Sequence, residues 1–344
     1  MSMDLTRRDV LKKSGIGLGA ALVGGGLLAG GSSAASLRGL AEGGWAKGID
    51  ITFFAGGGSG DLYASVVANG AKQAAKDLGC NLKIMYSNWS ASTEITQLNQ
   101  IIATKPDGIA MDGSPGDAAL MPLAKKAAAA GVLMTYWDVD PKTVRAAYGG
   151  GYAGADLYSF GFNLGTQAIE QFKLKAGDRA LVYGFFASTG FGVRDNGVAD
   201  GLKKGGLNIV KIAMPVESGS NPQSITPLIA GGLAKYKDAK LMSLSGGQWV
   251  GTSPAYLKAA GKKPGEVKVI SFDFLPSVVT AMDGNWAQMT ANQQPFLQGY
   301  NPVLQLCLAK KWGFQPTVQN TATAFMTPDN YKKFVPLAQS ALVG

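Results

Sequence analysis

The chain has 344 residues, 46% hydrophobic and 16% charged, which excludes a disordered polymer and leaves room for two domains with separate cores. Its formal charge of +9 is spread as short pairs (Lys203-Lys204, Lys262-Lys263, Lys332-Lys333) without a long basic run, so a solvated surface is expected and no nucleic-acid groove. The absence of histidine removes histidine nucleophile dyads, histidine general bases and the commonest transition-metal ligand together, and neither a metal nor a cofactor is expected.

The first segment reads "TRRDVLKKSG", then the weakly hydrophobic "IGLGAALVGGGLLAGG", then "SSAAS". A charged start, a short apolar stretch and small residues before a cleavage point predict a signal peptide over 1–35. The apolar stretch is short and glycine-rich for a secure bilayer span; an N-terminal anchor helix is the alternative reading. Arg7-Arg8 followed by Val10, Leu11 and Lys12 resembles the twin-arginine motif, with Val10 where Phe is usual. That resemblance implies export of an already folded protein to the periplasm. Residues 36–48 read as a flexible leader.

From residue 49 short apolar runs alternate with longer amphipathic segments. Strands are predicted at "IDITFFA", "NLKIMYS", "DGIAMD" and "VLMTYWD", with helices over 61–78, 92–104 and 116–131 between them. The glycine-rich "YGGGYAGAD" (148–156) is read as a break. Beyond it come helix 156–175, strand "RALVYGF", helix 193–204, strand "NIVKIAM", helix 221–236, strand "AKLMSLS", helix 252–260, strand "VKVISFD", helix 275–283 and strand "AQMTANQ". Alternation of this kind indicates parallel sheets covered on both faces, and some ten strands are too many for one core. Two doubly wound α/β lobes are expected. The tail adds a helix at 296–311, a short strand near "TATAFM" and a helix at 328–341, which pack best if the chain returns to the first lobe and crosses again. Cys80 and Cys307 stand outside any CxxC spacing and read as two free thiols, with a disulfide as the alternative.

The first strand runs into "AGGGSGDLY". No lysine follows the glycines before Lys72, so the phosphate-loop pattern fails, and Asp61 stands where a dinucleotide fingerprint needs glycine. A carboxylate at a helix start occupies the positive end of the dipole and repels phosphate. Asp61 is either a helix cap alone or, with Tyr63, part of the lip of a cleft for an uncharged polyhydroxyl molecule. Open α/β sheets bind ligands at strand carboxyl ends. Those ends carry Trp137 and Asp138, Arg194 and Asn196, Gln248 and Trp249, Asp273, and Gln293. Carboxylates accept from vicinal hydroxyls, arginine and amides donate to oxygens, and aromatic faces cover C–H patches, so this mixture suits a sugar or polyol. Trp137 and Trp249 read equally as core, and Arg194 equally as an ion-pair partner of Asp195 or Asp200.

With these residues in view, the chain from about Ile49 onward resembles the periplasmic sugar-binding proteins of ABC importers, ribose/galactose type. "ITFFAGGGSGDLYASVVANGAKQAAKDLG" resembles the family's first strand, ligand loop and helix, and "TKPDGIAMDGSPGDAALMPLAKKAAAAGVLMTYWD" the run that ends in its sugar-binding Asp, here Asp138. "VRDNGVADGL" is similar to the Arg-bearing helix start (Arg194), "VISFDF" to the second-lobe Asp strand (Asp273) and "MTANQQP" to the hinge Gln (Gln293). The resemblance implies type I periplasmic binding protein architecture, with a three-crossing hinge and a cleft between the lobes. It implies lobes of 49–152 plus 294–320 and 153–293 plus 321–344, a monomer without enzymatic activity, and a permease partner in the inner membrane. Gly60, Leu62 and Tyr63 replace the Asn and paired Phe common in the first loop, Val139 stands where ribose binders carry Arg, and Gly246-Gly247 replaces an Asn-Asp pair. These departures take away contacts typical of ribose and open the site to a polyol or another small hydroxylated molecule. A two-carboxylate carbohydrate enzyme and a receptor-coupled sensor are the alternatives.

Overall fold

In β1 (Asp50–Phe54) the last four residues are all buried, without the alternation of a half-exposed strand, because helices cover both faces of its sheet. The computed structural model describes residues 44–339 except Ser220 and Thr323. The predicted signal peptide, the leader up to residue 43 and the last residues of the predicted terminal helix lie outside the described residues. Residues 44–48, within the expected leader, form a turn in which Ala46 is buried and Trp45 lies on Trp312 with ring centroids 4.4 Å apart.

The first sheet adds β2 (Asn81–Met85), β3 (Gly108–Asp112), β4 (Leu133–Trp137), β5 (Gly151–Gly154) and β11 (Val318–Asn320), in the order β11-β5-β4-β3-β1-β2, all parallel. The second contains β6 (Arg179–Gly184), β7 (Asn208–Ala213), β8 (Ala239–Ser243), β9 (Lys268–Phe272), β10 (Met289–Ala291) and β12 (Phe325–Met326), in the order β12-β10-β9-β8-β6-β7. Only β12 runs antiparallel to its neighbour. The two windings are the same: in each, the first strand sits second from one edge and the order reverses beside it. Such a reversal opens a crevice at the strand carboxyl ends.

The chain passes between the sheets three times: after β5, after β10 and between β11 and β12. Because β5 runs to Gly154, the first crossing follows Gly154 rather than Tyr152. The segment expected to be a bare break holds both β5 and the end of the helix Lys142–Tyr148, neither of which the sequence announced. Glycines hide β5, but neighbouring side chains crowd both positions: a Cβ on Gly151 would overlap the Gln305 amide, and one on Gly154 the Tyr152 hydroxyl.

Helices α1 (Leu62–Leu78) and α11 (Pro295–Trp312) cross in the first lobe with backbones in contact. A Cβ on Gly70 would strike the Phe296 carbonyl, and one on Gly299 the Val67 carbonyl. The same device joins α5 (Leu157–Phe172) to α6 (Gly192–Lys204) through Gly161 and Gly197. The predicted helix 221–236 is a 3-10 turn (Pro222–Ile225) leading into an α-helix (Thr226–Lys235), and the predicted helix 328–341 likewise starts with a 3-10 turn, Tyr331–Phe334. Cys80 and Cys307 are free and buried in the same apolar cluster. Among the described residues no helix is long and apolar enough to cross a membrane.

Candidate functional site

Asp138 directly follows β4 and Asp273 directly follows β9, equivalent places in the two windings. Both adopt left-handed backbone, φ 57° and 67°, which aspartate tolerates better than most side chains. Each is pinned by the adjacent strand. The Asp138 amide donates to the Ala153 carbonyl (3.4 Å), and its carbonyl accepts the Tyr152 hydroxyl (2.6 Å). The Asp273 amide donates to the Ala291 carbonyl (2.8 Å), and its carbonyl accepts the Thr290 hydroxyl (2.6 Å).

Both carboxylates border one cavity between the lobes, with about 380 Å³ of atom-free space counting its solvent-open part. The first lobe contributes Tyr63, Trp89 and Asp138; the second contributes Arg194, Gln248, Trp249 and Asp273, with Phe185, Phe191 and Ser245 beside them; Gln293 comes from the second crossing. Aromatic walls with a few convergent polar groups suit a small organic ligand.

A hydrogen-bonded chain crosses the hinge. Tyr63 donates its hydroxyl to Gln298 Oε1 (2.9 Å), Gln298 Nε2 donates to the Gln293 carbonyl (3.0 Å), and Gln293 Nε2 donates to Asp273 Oδ1 (2.7 Å). Gln298 Nε2 also reaches Thr321 Oγ1 (3.1 Å), on the third crossing. The Arg194 guanidinium lies 4.3 Å above the Phe272 ring and donates through one terminal nitrogen to the Ser245 carbonyl (2.5 Å). Asp195, weighed as its ion-pair partner, instead accepts from the Phe185 amide (2.7 Å) and the Ser245 hydroxyl. Four buried atoms of lining residues make no hydrogen bond within the protein: the acceptors Asp138 Oδ1 and Gln248 Oε1, and the donors Arg194 Nε and Trp249 Nε1.

Burial pushes the Asp138 carboxyl up to about 6; the Arg194 charge pulls it down, the Asp273 charge pushes it up, and the Tyr63 hydroxyl pulls it down. Asp273 is raised by the same burial, with Arg194, Gln293 and the Gly247 amide opposing. One guanidinium beside two carboxyls cannot supply the dense positive charge a phosphate needs. Among the described residues no group of three or more His, Cys, Asp or Glu is placed to hold a metal.

A family model for the periplasmic binding protein domain matches residues 51–311. The chain belongs to that family. No curated protein matches this periplasmic binding protein significantly. Its fold is similar to that of a periplasmic sugar-binding protein of an ABC sugar transporter from Legionella pneumophila, at 23% identity and TM-score 0.71 over 80% of this chain and 100% of that one. It is also similar to a carbohydrate transporter protein from Acidothermus cellulolyticus in complex with myo-inositol (22%, TM-score 0.73, 85% and 98%). A third is an ABC transporter solute-binding protein from Agrobacterium vitis with bound D-fucose (20%, TM-score 0.74, 85% and 99%).

Seven of the ten expected site residues of this binding protein line the cavity: Tyr63, Asp138, Arg194, Gln248, Trp249, Asp273 and Gln293. Three lie elsewhere. Asp61 caps α1 through the Ala64 amide (2.8 Å) and accepts the Trp89 indole N–H (2.8 Å), so it stands behind the wall rather than in it. Trp137 is fully buried, stacked on Phe53, with its indole N–H on the Phe54 carbonyl (3.0 Å); the core reading is the right one. Asn196 points away from the cavity on α6, donating to the Gly192 carbonyl and accepting from Lys211 Nζ. Sequence reasoning missed Trp89, Phe185, Phe191 and Gln298. Phe185 and Phe191 lie in "FFASTGFGVRDNG", which follows a predicted strand, and are legible by the same rule that finds Arg194. Trp89 follows β2, a strand end left unread, and Gln298 sits inside a helix with no local mark.

Proposed function

We propose that this protein is an exported solute-binding protein that encloses one neutral monosaccharide or polyol between its lobes and delivers it to an ABC permease. The observation that carries the reading is the set of four orphaned polar atoms on the cavity wall, two acceptors and two donors. Each costs about 1–3 kcal/mol while unpaired and buried. A hydroxyl is both donor and acceptor, so a ring of hydroxyls satisfies all four at once, whereas an anion would meet Asp138 and Asp273 head-on. The site residues are Tyr63, Asp138, Arg194, Gln248, Trp249, Asp273 and Gln293, with Trp89, Phe185 and Phe191 as apolar walls.

The sugars in similar structures, myo-inositol and D-fucose among them, support this ligand class. Ligand held by both lobes favours the closed population by its differential affinity, the physical basis of capture. We assign the lobes to 49–154 plus 294–320 and 155–293 plus 321–344. Export to the periplasm by the twin-arginine route, a monomeric state and the absence of turnover belong to the same reading. A thermal-shift and calorimetric panel of pentoses, hexoses and cyclitols tests it. One class should raise the melting temperature with saturable binding and no product, and a flat response to the whole panel, or conversion of any member, would overturn it.

A further inference from the structure

The residue after Asn88 is held in a way that ordinary wall residues are not. Asn88 and Trp89 are consecutive non-glycine residues with left-handed backbone, φ 53° and 58°. A bulky side chain in that region is uncommon and persists only where its surroundings fix it. Here the amides of Ser87 and Trp89 both donate to the Gly56 carbonyl (3.0 and 3.1 Å), and the Asn88 amide to the Gly57 carbonyl (3.2 Å). The indole lies against Gly56 and Gly57: a Cβ on Gly57 would stand 2.8 Å from Trp89 Nε1, and one on Gly56 2.9 Å from Cη2. Its N–H is bonded to Asp61 Oδ2 (2.8 Å). The ring cannot retreat into its own lobe.

Its other side meets the second lobe. Phe191 packs edge-on at 5.8 Å and 85°, and Gly219 brings its Cα so close that an added Cβ would sit 3.0 Å from Trp89 Cδ1 and 3.2 Å from Nε1. Gly219 has no positive φ to explain its identity, so the indole does.

The geometry points to Trp89 as a latch: a strut fixed to the first lobe by Asp61 and the glycine loop, seated on Gly219 and Phe191 of the second, that stabilises the closed arrangement whether or not ligand is present. It rests on the reading of the cavity as a cleft that opens and closes. Affinity for any ligand then depends on this contact through the fraction of closed protein.

The test uses the full mature chain as Gly219→Ala, Trp89→Phe, Trp89→Ala and the Trp89→Ala/Gly219→Ala double variant. X-ray scattering without ligand reads the closed fraction; titration with myo-inositol, D-fucose and D-arabinose reads affinity. Gly219→Ala should widen the average shape and weaken binding by about tenfold, the scale of one lost aromatic contact. Trp89→Phe should fall between wild type and Trp89→Ala. The double variant should be no worse than Trp89→Ala alone, because the methyl then meets no ring. Scattering profiles of Gly219→Ala and Trp89→Ala that superpose on wild type, or additive losses in the double variant, overturn the latch. If wild type binds none of the three sugars, the ligand reading suffers while scattering still decides the latch; melting curves identify any variant that fails to fold, and Gly219→Ala, buried but small, then carries the test.

Discussion

Asp138 and Asp273 are the same residue twice: each follows the fourth strand of its winding, each has left-handed backbone, and each offers its carbonyl to a hydroxyl on the fifth strand. Asparagine tolerates that backbone equally and is the same size, so Asp→Asn isolates the charge. We expect Asp138→Asn to raise the melting temperature of the free protein at about pH 7 to 8, since the buried carboxyl, pushed up to about 6, is ionised there at a cost the amide does not carry. Sugar affinity should fall about ten- to hundredfold, the range of a hydrogen bond to a charged group. Calorimetry on both single variants checks this, and equal affinity would remove the residue from the site.

Binding should weaken in acid. The Asp138 carboxyl is pushed up to about 6 by burial, so it gains a proton at far milder pH than an exposed aspartate. Only the ionised form offers two acceptors to hydroxyls. Affinity should therefore be flat above about pH 7 and decline below about 6, approaching tenfold per pH unit. The Asp138→Asn variant should lose that dependence. A titration at several pH values on both proteins decides it.

Behind the cavity Glu94 and Asp112 are both buried, and Glu94 Oε1 has no partner within the protein. Burial raises both carboxyls, Asp112 to about 7, with the Asp138 charge adding to it and the Ser114 amide and hydroxyl opposing. A folded value above the unfolded one means the native state holds the proton more tightly. That stabilisation is complete below about pH 4 and is lost as pH rises through about 7. Asp112→Asn keeps an acceptor for the Ser114 amide and has no proton to lose. Its melting temperature, relative to wild type, should climb as pH goes from about 5 to about 8; parallel curves would refute the assignment.

Gln298 joins the first lobe to two of the three crossings through Tyr63, Gln293 and Thr321. Gln298→Leu fills the space but strands a buried hydroxyl and a buried carbonyl. Denaturant unfolding should show a loss of about 2–3 kcal/mol, accompanied by weaker sugar binding because Gln293 no longer holds Asp273. A stable variant with normal affinity would show that the crossings are fixed by other contacts.

The periodic part of the fold was legible: parallel strands carry unbroken apolar runs, and the helices between them show one buried face. What escaped were strands made of glycine and the pairing that gives them meaning. Gly151–Gly154 looks like a break until Gln305 is seen pressing on Gly151 from a distant helix and the strand's own Tyr152 hydroxyl on Gly154. The site divides the same way. Asp138, Arg194 and Asp273 could be found because strand ends are predictable places. Asn196 was misplaced because one turn of helix decides which side chain faces the cleft, and Trp137 because a strand's last inward residue can point into the core. The glycine loop resembles a ligand loop, yet the group that occupies the space above Gly56 and Gly57 is the indole of Trp89, supplied by the turn after β2.

The crossing pattern also constrains how the polypeptide can be made. β11 completes the first sheet and α11 covers α1, yet both lie after the whole of β6–β10 in the chain. One edge strand and one covering helix of the first lobe therefore reach the ribosome exit only near the end of translation, and an early fragment must wait, with the Gly70 face of α1 bare, until its distant partner arrives.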